Sequence, residues 1–376
     1  MKKIYNRITI ALFLSVLFLT PIFLFLSKDN DFSENENRYL SQKPTISVDD
    51  ILSGEFMQNT EKYIDDQFPF RDTWTAMKSD ILQLTGTKEV NGVYWCADQY
   101  LIEKWLDYDF DEQQLQQNID YINSFSENHP DQKTSVMIVP TAGLILKDKL
   151  PSNAPMFDQN IAFSLIENNL SNSCYIDVRE PLFSHREDDV YYKTDHHWTT
   201  YGAYLGYEKW CQEHNGSVQS NDFEIKSVTD SFKGSLYSKV LNRNCPSDEI
   251  SLYNRKNQID YVVDYNFGKT QSDSVYALEN LEKKDQYQVF FNGNHPELTI
   301  RTSQSNGKHL LIFKDSFANA FVPFLLNDYE TIHMIDLRYY NADLTSYLSE
   351  NGITECLFLY NIKNFCEEKN LSKIIN

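Results

Sequence analysis

The sequence predicts an α/β fold in which a parallel β-sheet carries helices on both faces. Short apolar segments rich in β-branched and aromatic residues alternate with segments whose apolar residues recur at helical spacing. Strands separated by helical segments are typical of a parallel sheet, which helices cover on both sides. The predicted strands occupy residues 134–141, 174–178, 309–314, 331–340 and 353–361.

The first residues of the chain predict a membrane anchor. Three basic residues precede an apolar run from Ile8 to Leu26, and about 20 apolar residues are enough to cross a bilayer. The basic residues favour a cytoplasmic N-terminus, and no small-residue cleavage signature follows the run. We therefore interpret residues 1–28 as an uncleaved transmembrane signal-anchor, with a cleaved signal peptide as the alternative. Residues 29–376 then form the extracytoplasmic domain.

The region after the anchor predicts a tether followed by helices. Residues 27–47 are polar, contain Pro44 and lack periodicity, which is typical of an extended tether. Residues 48–85 show helical periodicity. The motif DDQFPFRD at 65–72 interrupts it, because the residue before Pro69 avoids the helical region. Further helical patterns occupy residues 112–128, residues 161–170 and a segment that Thr199 or Thr200 can cap.

Residues 216–305 differ from the alternating pattern on either side. They are polar and rich in turn residues, with β-like fragments at 258–267 and 287–291. We interpret residues 216–305 as an insertion of mixed or mainly β character in the α/β domain.

Composition limits the partners of the protein. A net charge of −20 argues against binding nucleic acid or an anionic membrane surface. It fits neutral or cationic partners, and it fits simple solubility equally well. The 24 tyrosines and 24 phenylalanines suit a core or a sugar-stacking cleft. Six cysteines without a CxxC pair specify no disulfide framework, so buried free thiols are expected for most of them.

The motif TDHHWTTYGAY at 194–204 has three interpretations. Asp195, His196 and His197 offer ligand atoms that suit a metal ion, but adjacent residues rarely point at one ion and no further ligand cluster follows. A metal is therefore not predicted. A polar helix start would explain Asp195 as a cap but leaves the two histidines unexplained. In the third interpretation, Asp195 orients His197 as the base of a catalytic pair.

That third interpretation requires a nucleophile, and Ser316 is the candidate. The segment HLLIFKDSFANAF at 309–321 predicts an apolar strand, then Asp315 and Ser316, then a helix. A serine between a parallel strand and a helix lies at the reactive edge of the sheet, near unsatisfied backbone N–H groups. A plain helix cap is the alternative role. Because a serine hydroxyl is a poor nucleophile without a base, His197 would accept its proton.

Five motifs together resemble the DHHW family: TDHHWTTYGAY, FKDSFANAFVPFL, SENENRYL, DDQFPFRD and FKGSLYSK. That family is similar to the SGNH-hydrolase-like alginate O-acetyltransferases of the bacterial periplasm, and the resemblance runs from about residue 29 to the C-terminus. It implies a permuted SGNH-like fold in which the Asp-x-His pair precedes the serine. By residue matching, Asp195, His197 and Ser316 are the implied catalytic residues, and His196 is an additional neighbour.

The resemblance also implies oxyanion donors, which SGNH enzymes draw from a Gly and an Asn in separate sequence blocks. The candidates here follow other strands or lie in the motif FKGSLYSK. Arg338 could hold a sugar or acetyl oxygen, although an exposed arginine near a strand end is usually structural or solvated. Lys314 is expected to be a solvated charge at the sheet edge. The four oxyanion or substrate-binding candidates are Arg338, Tyr339, Asn361 and Gly234.

The function that the resemblance implies is a membrane-anchored, extracytoplasmic O-acetyltransferase. Acetyl would pass through an acyl-serine to hydroxyl groups of a polysaccharide at the bacterial cell surface, without a cofactor. A polytopic membrane-bound O-acyltransferase is the implied donor partner. A carbohydrate acetylesterase with the same three residues is one alternative, because water competes with sugar hydroxyls for an acyl-enzyme. A non-catalytic glycan-binding protein of the cell envelope is the other.

Overall fold

The computed structural model describes residues 2–36, 38–214 and 216–375, and it contains two compact units. The first unit comprises the chain up to Val90 together with Tyr237–Asn244. The second unit comprises Asn91–Leu236 and the chain from Cys245 onward. All six cysteines lie within the described residues and are free thiols.

The first unit begins with helix α1, Lys2–Leu26. Its segment Lys3–Leu24 has a mean hydropathy of 2.1, and none of its residues is buried. Of the helices in the described residues, α1 alone is long and apolar enough to cross a membrane. An N-terminal helix of this kind fits an anchor or a signal sequence.

The segment after α1 is folded, so the prediction of a plain extended tether over residues 27–47 was wrong. Its strands β1 and β2 pair antiparallel. The guanidinium of Arg38 donates to both carboxylate oxygens of Asp66, at 2.5 and 3.0 Å, and the Ser41 N–H donates to the same carboxylate. Hydrogen bonds to the end of a helix fix this hairpin in place. The elements are β1 (Phe32–Ser33), β2 (Arg38–Tyr39), α2 (Val48–Ser53), α3 (Glu55–Asp66), α4 (Arg71–Leu84) and β3 (Glu89–Val90).

The second unit is built around a large, mostly parallel sheet. The strands of the unit are β4 (Val93–Trp95), β5 (Leu101–Glu103), β6 (Lys133–Val139), β7 (Cys174–Tyr175), β8 (Phe223–Phe232), β9 (Asp248–Arg255), β10 (Tyr261–Tyr265), β11 (Thr270–Ser272), β12 (Glu297–Thr302), β13 (His309–Lys314), β14 (Thr331–Ile335) and β15 (Glu355–Asn361). In the described residues the sheet order is β11-β10-β12-β14-β13-β15-β6-β7. The five strands from β14 to β7 pair parallel with their neighbours.

Antiparallel strands extend one side of this sheet, which the sequence did not predict. β12 pairs antiparallel with β14, and β10 pairs antiparallel with β12 and β11. Asn266, Phe267 and Gly268 all have positive φ, so the chain turns back tightly after β10. Strands from residues 216–305 therefore join the main sheet; that this region is an insertion stays a prediction. Residues 287–291 are not a strand, because Gln286–Val289 forms a 3₁₀-helix.

Helices cover both faces of the sheet. The helices that follow α4 are α5 (Glu112–Asn128), α6 (Ala142–Ile145), α7 (Gln159–Asn169), α8 (Arg179–Ser184), α9 (Thr200–Glu213), α10 (Ser235–Val240), α11 (Ala318–Phe321), α12 (Leu344–Glu350) and α13 (Ile362–Glu367). Short 3₁₀-helices also occur at Ala97–Gln99, Asp107–Asp109, Lys147–Lys149, Ser220–Asp222, Leu278–Glu282, Val322–Leu325 and Leu371–Ile374.

The core has two layers because side chains alternate along each strand. Along β13, Leu310 and Ile312 pack in the same cluster as residues of α9. Leu311 and Phe313 pack in the cluster that contains α5. Phe125 of α5 meets Phe313 edge-on at a ring-centroid distance of 5.6 Å. This double burial confirms the predicted α/β architecture with helices on both faces.

The carboxyl ends of the central strands meet at one edge of the sheet. Lys314 of β13 is in register with Leu359 of β15, and Asn361 of β15 is in register with Val139 of β6. Ligands of open α/β sheets bind at such an edge. Ser316, which follows β13, therefore lies where the fold favours a functional site.

Candidate active site

The motif at 194–197 forms a turn that is fastened at both ends. A β-bridge joins Tyr191 to Trp198, and the buried Trp198 indole Nε1 donates to the Phe317 carbonyl at 3.0 Å. The Thr199 hydroxyl accepts from the Gly202 N–H and caps α9, as predicted for Thr199 or Thr200. The turn is thus tied to the segment that follows β13.

Asp195, His197 and Ser316 form a continuous chain of hydrogen bonds. His197 Nδ1 lies 2.5 Å from Asp195 Oδ1, and His197 Nε2 lies 2.7 Å from Ser316 Oγ. When Nδ1 carries the proton, it donates to the carboxylate and Nε2 accepts from the serine hydroxyl. The geometry therefore brings together the three residues that the sequence singled out, across 119 positions of the chain.

The Asp195 carboxylate is buried, with 3% of its surface exposed, and it is well supplied with donors. The His197 N–H donates to Oδ1 at 3.0 Å, and the Ser235 N–H donates to Oδ2 at 2.7 Å. Burial alone would raise the pKa of Asp195. The neighbouring His197 and His196 and these hydrogen bonds outweigh burial, so the pKa of Asp195 lies well below its ordinary value. Asp195 is therefore a carboxylate at neutral pH.

Tyr287 fixes the plane of the His197 ring, a role that no sequence motif predicted. The two rings stack at a centroid distance of 3.9 Å and an angle of 9°. The Tyr287 hydroxyl donates to the Ser316 carbonyl at 3.2 Å. Phe317 packs on the same imidazole at 4.9 Å. The His197 imidazole and the Ser316 backbone therefore both contact Tyr287.

His196 occupies a different environment from His197. Its Nδ1 lies 2.6 Å from Ser235 Oγ, and its ring centroid lies 3.9 Å from that of His197. Burial, together with the adjacent His197, lowers the pKa of His196 to about 4. His196 is therefore uncharged near neutral pH, although 35% of its side chain is exposed.

Asp248 holds the turn from its other side. Its carboxylate accepts from the Lys193 N–H at 2.7 Å, the Thr194 N–H at 2.8 Å and the Thr194 hydroxyl at 2.5 Å. Burial raises the pKa of Asp248 above its ordinary value. Nothing in the sequence marked this aspartate, because it lies in the predicted insertion, far along the chain from the motif.

Gly234 is close to Asp195 for a steric reason. A Cβ atom on Gly234 would lie 2.3 Å from both Cβ and Oδ2 of Asp195, so no side chain fits. The Gly234 N–H donates to the Thr194 hydroxyl at 3.1 Å. The role of Gly234 as an oxyanion donor stays a prediction. In that role its N–H would have to leave the Thr194 hydroxyl and donate to the substrate oxygen instead.

Asn361 lies at the carboxyl end of β15 and is nearly buried. Its side-chain amide donates to the carbonyls of Val139 and Pro140, at 3.2 and 3.4 Å. Its backbone N–H donates to Asp315 at 2.8 Å. The side chain therefore joins two strand ends, and its predicted role as an oxyanion donor is not tested by these contacts.

Arg338 and Tyr339 follow β14 at the same edge of the sheet. Arg338 forms a bidentate pair with the buried Asp336, with Nε at 2.8 Å from Oδ1 and Nη2 at 2.6 Å from Oδ2. Tyr339 is 51% exposed. A substrate-binding role for either residue stays a prediction.

Lys314 is not the solvated edge charge that the sequence predicted. Only 3% of its surface is exposed, and its ammonium donates to Asn294 Oδ1 at 2.9 Å and Asn319 Oδ1 at 2.7 Å. Burial lowers the pKa of Lys314 to about 8. Two asparagine side-chain carbonyls thus accept the hydrogen bonds that the ammonium of an exposed lysine donates to water.

A cation at Asp195, His196 and His197 would have to displace existing hydrogen bonds. Their potential ligand atoms lie within 4.8 Å of one another. Both carboxylate oxygens of Asp195 accept from N–H groups, and both ring nitrogens of His197 have partners. The donor set is therefore better arranged for proton transfer than for binding a metal.

Comparison with known proteins identifies the family. Residues 108–335, more than half of the chain, match the family model described as DHHW protein. The solved structure of a DHHW family protein from Eubacterium siraeum is similar, with 24% identity and a TM-score of 0.66, covering 76% of this chain and 95% of that one. No curated protein matches the sequence.

Two further proteins of known structure are similar in fold to different degrees. Bacillus cereus PatB1, solved alone and with a sulfonyl adduct, is 22% identical, with TM-scores of 0.62 and 0.61, covering 71% of this chain and 95% of PatB1. The O-acetyltransferase domain of Pseudomonas putida AlgJ is 15% identical, with a TM-score of 0.45, covering 75% of this chain and 94% of that domain. By its match to the family model over more than half its length, the chain belongs to the DHHW family.

Proposed function

We propose that this protein is a membrane-anchored, extracytoplasmic O-acetyltransferase that passes acetyl through Ser316 to hydroxyl groups of a cell-surface polysaccharide. The observation that carries the proposal is the hydrogen-bond chain from Asp195 through His197 to Ser316. This arrangement of carboxylate, imidazole and hydroxyl activates a serine toward acyl groups on several unrelated folds. The DHHW family protein from Eubacterium siraeum and PatB1 are similar in fold, and the activity is our inference.

In the first half of the reaction, Ser316 Oγ forms a bond to the carbonyl carbon of the acetyl donor. The serine proton moves to His197 Nε2, which lies 2.7 Å away. Asp195 stabilises the imidazolium that results, since it is ionised and accepts from Nδ1. When the tetrahedral intermediate collapses, the bond to the leaving group breaks and the leaving group takes the proton from His197. The product is acetyl-Ser316.

In the second half, a sugar hydroxyl takes the place of the leaving group. His197 removes its proton as the sugar oxygen bonds to the acetyl carbon, and Ser316 leaves with that proton. Water in the same position would release acetate and make the protein an esterase. Arg338 and Asn361, at the ends of β14 and β15, are the residues we propose for contacts with substrate oxygens.

The surroundings of the base favour this proton transfer. Tyr287 stacks on His197 and limits rotation of the ring, which keeps Nε2 aimed at Ser316. His196 carries no charge near neutral pH because its pKa is about 4. It therefore adds no cationic charge that would oppose formation of the His197 imidazolium.

The cellular setting of the proposal rests on α1 and on charge. An apolar helix at the N-terminus would hold the site close to the membrane. Tethering raises the effective concentration of a donor at the same membrane, and we propose a polytopic membrane-bound O-acyltransferase as that donor. The net charge of −20 favours a neutral or cationic polysaccharide over nucleic acid.

The test uses the full-length protein in detergent micelles with 4-nitrophenyl acetate. We expect intact-mass and peptide analysis to find acetyl on Ser316, and oligosaccharide acceptors to remove it. Ser316→Ala should abolish the adduct, whereas Ser349→Ala, at an exposed serine of α12, should keep it. Because PatB1 was solved with a sulfonyl adduct, a sulfonyl fluoride is a second probe of the same residue.

Each outcome separates the alternatives. Acetate release to water without transfer to any sugar would favour the esterase. A protein that is never acylated, with Ser316→Ala and wild type alike, would refute both enzymatic functions and leave glycan binding.

A further inference from the structure

We propose that a small cavity, whose wall binds Asp315 and contains His196, receives the acyl group and restricts the enzyme to acyl chains of about two carbons. We name it the acyl cavity; the residues that matter for the argument are Ile102, Ala142, His196, Leu236, Asn361 and Asn364. The inference rests on the proposed function, which it sharpens by naming the acyl groups that the enzyme accepts.

The acyl cavity adjoins the serine through Asp315. The Asn361 N–H and the Asn364 side-chain amide, both from the cavity wall, donate to Asp315 at 2.8 and 2.7 Å. Asp315 immediately precedes Ser316, and its other carboxylate oxygen accepts from the Phe317 N–H at 2.9 Å. The wall and the nucleophile segment are therefore one hydrogen-bonded structure.

The acyl cavity also adjoins the base. His196 lines it and stacks on His197 at a centroid distance of 3.9 Å. Leu236 lines it as well, and the Leu236 N–H donates to the carbonyl of Thr194, which precedes Asp195. His196 of this wall is thus the sequence neighbour of Asp195 and the ring contact of His197. Asp315, which the wall binds, is the sequence neighbour of Ser316.

The size of the acyl cavity matches a very short acyl group. Its volume is about 30 Å³, whereas a single ordered water needs roughly 10–15 Å³ measured in the same way. About two water-sized groups fit, which corresponds to the methyl and the carbonyl oxygen of an acetyl group. A longer chain would have to displace lining side chains or extend out of the acyl cavity.

The chemistry of the walls agrees with a methyl group on one side and polar atoms on the other. Ile102 and Leu236 are 1% and 2% exposed, so they form firm apolar walls. Lys363 and Glu103, which also line the acyl cavity, form an ion pair at 3.2 Å. An apolar chain that extended past the methyl position would meet either the packed core or this ion pair.

The first test compares acyl lengths with the full-length protein in detergent micelles. We expect kcat/KM to fall at least about 10-fold from 4-nitrophenyl acetate to 4-nitrophenyl butyrate, since each methylene that a pocket excludes costs about 10-fold or more. Equal values for the two esters, with Ser316 acylated by both, would overturn the acyl cavity while leaving the proposed function intact. No acylation by either ester would overturn both proposals.

Two variants change the acyl cavity in opposite directions. Leu236→Ala enlarges it and should raise the butyrate-to-acetate ratio of kcat/KM at least about 10-fold. The matched control Leu252→Ala removes a leucine that is equally buried, at 3% exposure, but lies outside the acyl cavity, and should leave the ratio unchanged. A ratio that Leu236→Ala leaves unchanged would overturn the proposal.

Should Leu236→Ala fail to fold, Ala142→Val decides the question. The added methyl groups occupy the acyl cavity and should lower kcat/KM for acetate at least about 10-fold. An Ala142→Val protein that folds and turns over acetate at the wild-type rate would overturn the proposal.

Discussion

The two sides of the turn at 194–197 each contain a buried aspartate, yet the pKa values of the two carboxyl groups are shifted in opposite directions. On the front side, Asp195 lies against two histidines and its pKa is lowered. On the rear side, Asp248 binds backbone and hydroxyl donors without a cation in hydrogen-bond contact, and its pKa is raised. The front side carries the proton transfer that we propose, whereas on the rear side Asp248 holds the backbone at Lys193 and Thr194.

The largest effect on activity should come from replacing His197 on the front side. His197→Ala removes the acceptor of the Ser316 hydroxyl, so we expect acetyl transfer or hydrolysis to fall by about 10⁴-fold or more. The measurement is kcat/KM with 4-nitrophenyl acetate. His309→Ala, at the opposite end of β13, is the matched control and should keep its activity. A His197→Ala protein with substantial turnover would exclude His197 as the base.

Gly234→Ala tests how closely the backbone at residue 234 packs against Asp195. The new Cβ would lie 2.3 Å from Asp195, so the backbone must shift and the hydrogen bond to Thr194 must lengthen. We expect a loss of about 1–3 kcal/mol in the free energy of unfolding, measured with denaturant, and lower activity. Gly216→Ala, where the Cβ would make ordinary contacts with Cys211 at 3.4 Å, should change neither quantity. Equal effects of both variants would show that the contact is easily relaxed.

The two aspartates should respond to pH with opposite signs. Because the folded pKa of Asp195 lies below its ordinary value, its contribution to stability is present above that value and is lost as the pH falls. The folded pKa of Asp248 is raised, so its contribution is greatest at low pH and is lost as the pH rises through the folded pKa.

Thermal unfolding between about pH 3 and pH 7 measures this difference. Relative to wild type, Asp195→Asn should lose more stability at the upper end of the range, whereas Asp248→Asn should lose less there than at the lower end. Identical pH dependences of the two variants would refute the contrast between the two sides. Enzymatic activity should fall in both, since Asp248 positions Thr194 next to Asp195.

The smallest effect is expected for Tyr287→Phe. The variant keeps the ring that stacks on His197 and loses only the hydroxyl that donates to the Ser316 carbonyl. We expect kcat/KM to fall no more than about 10-fold, in line with the loss of one neutral hydrogen bond. Tyr287→Ala, which removes the ring as well, should have the greater effect. If the two variants are equally impaired, the hydroxyl and not the stacking supports the base.

The sequence predicted the front of the site better than the rear, for a physical reason. Ser316 follows the plainly apolar strand β13, and parallel strands bring their carboxyl ends together. Asp195 and His197 stand two residues apart in one short motif. Tyr287 and Asp248 belong to residue types with many roles and lie in irregular or antiparallel segments. Their partners are set by three-dimensional packing, which no local pattern encodes.

The errors at the sheet edges have a similar origin. The antiparallel strands β10 and β12 are short and polar in part, so their pairing with a parallel sheet could not be read from alternation. Lys314 was expected in solvent because lysine usually is, yet Asn294 and Asn319 bind its ammonium. A buried lysine is visible only once those two asparagines are placed beside it.

The strand order also determines at what stage of chain synthesis the site can form. β15 is the last strand in the chain, yet it lies between β13 and β6 near the middle of the sheet. A chain synthesised from its N-terminus possesses the aspartate, both histidines and the serine long before that strand emerges. Until β15 inserts, the serine strand has no sheet partner on the side of β6, and a product that stops short of Glu355 cannot complete the edge. Formation of the candidate site therefore depends on synthesis of the chain through β15.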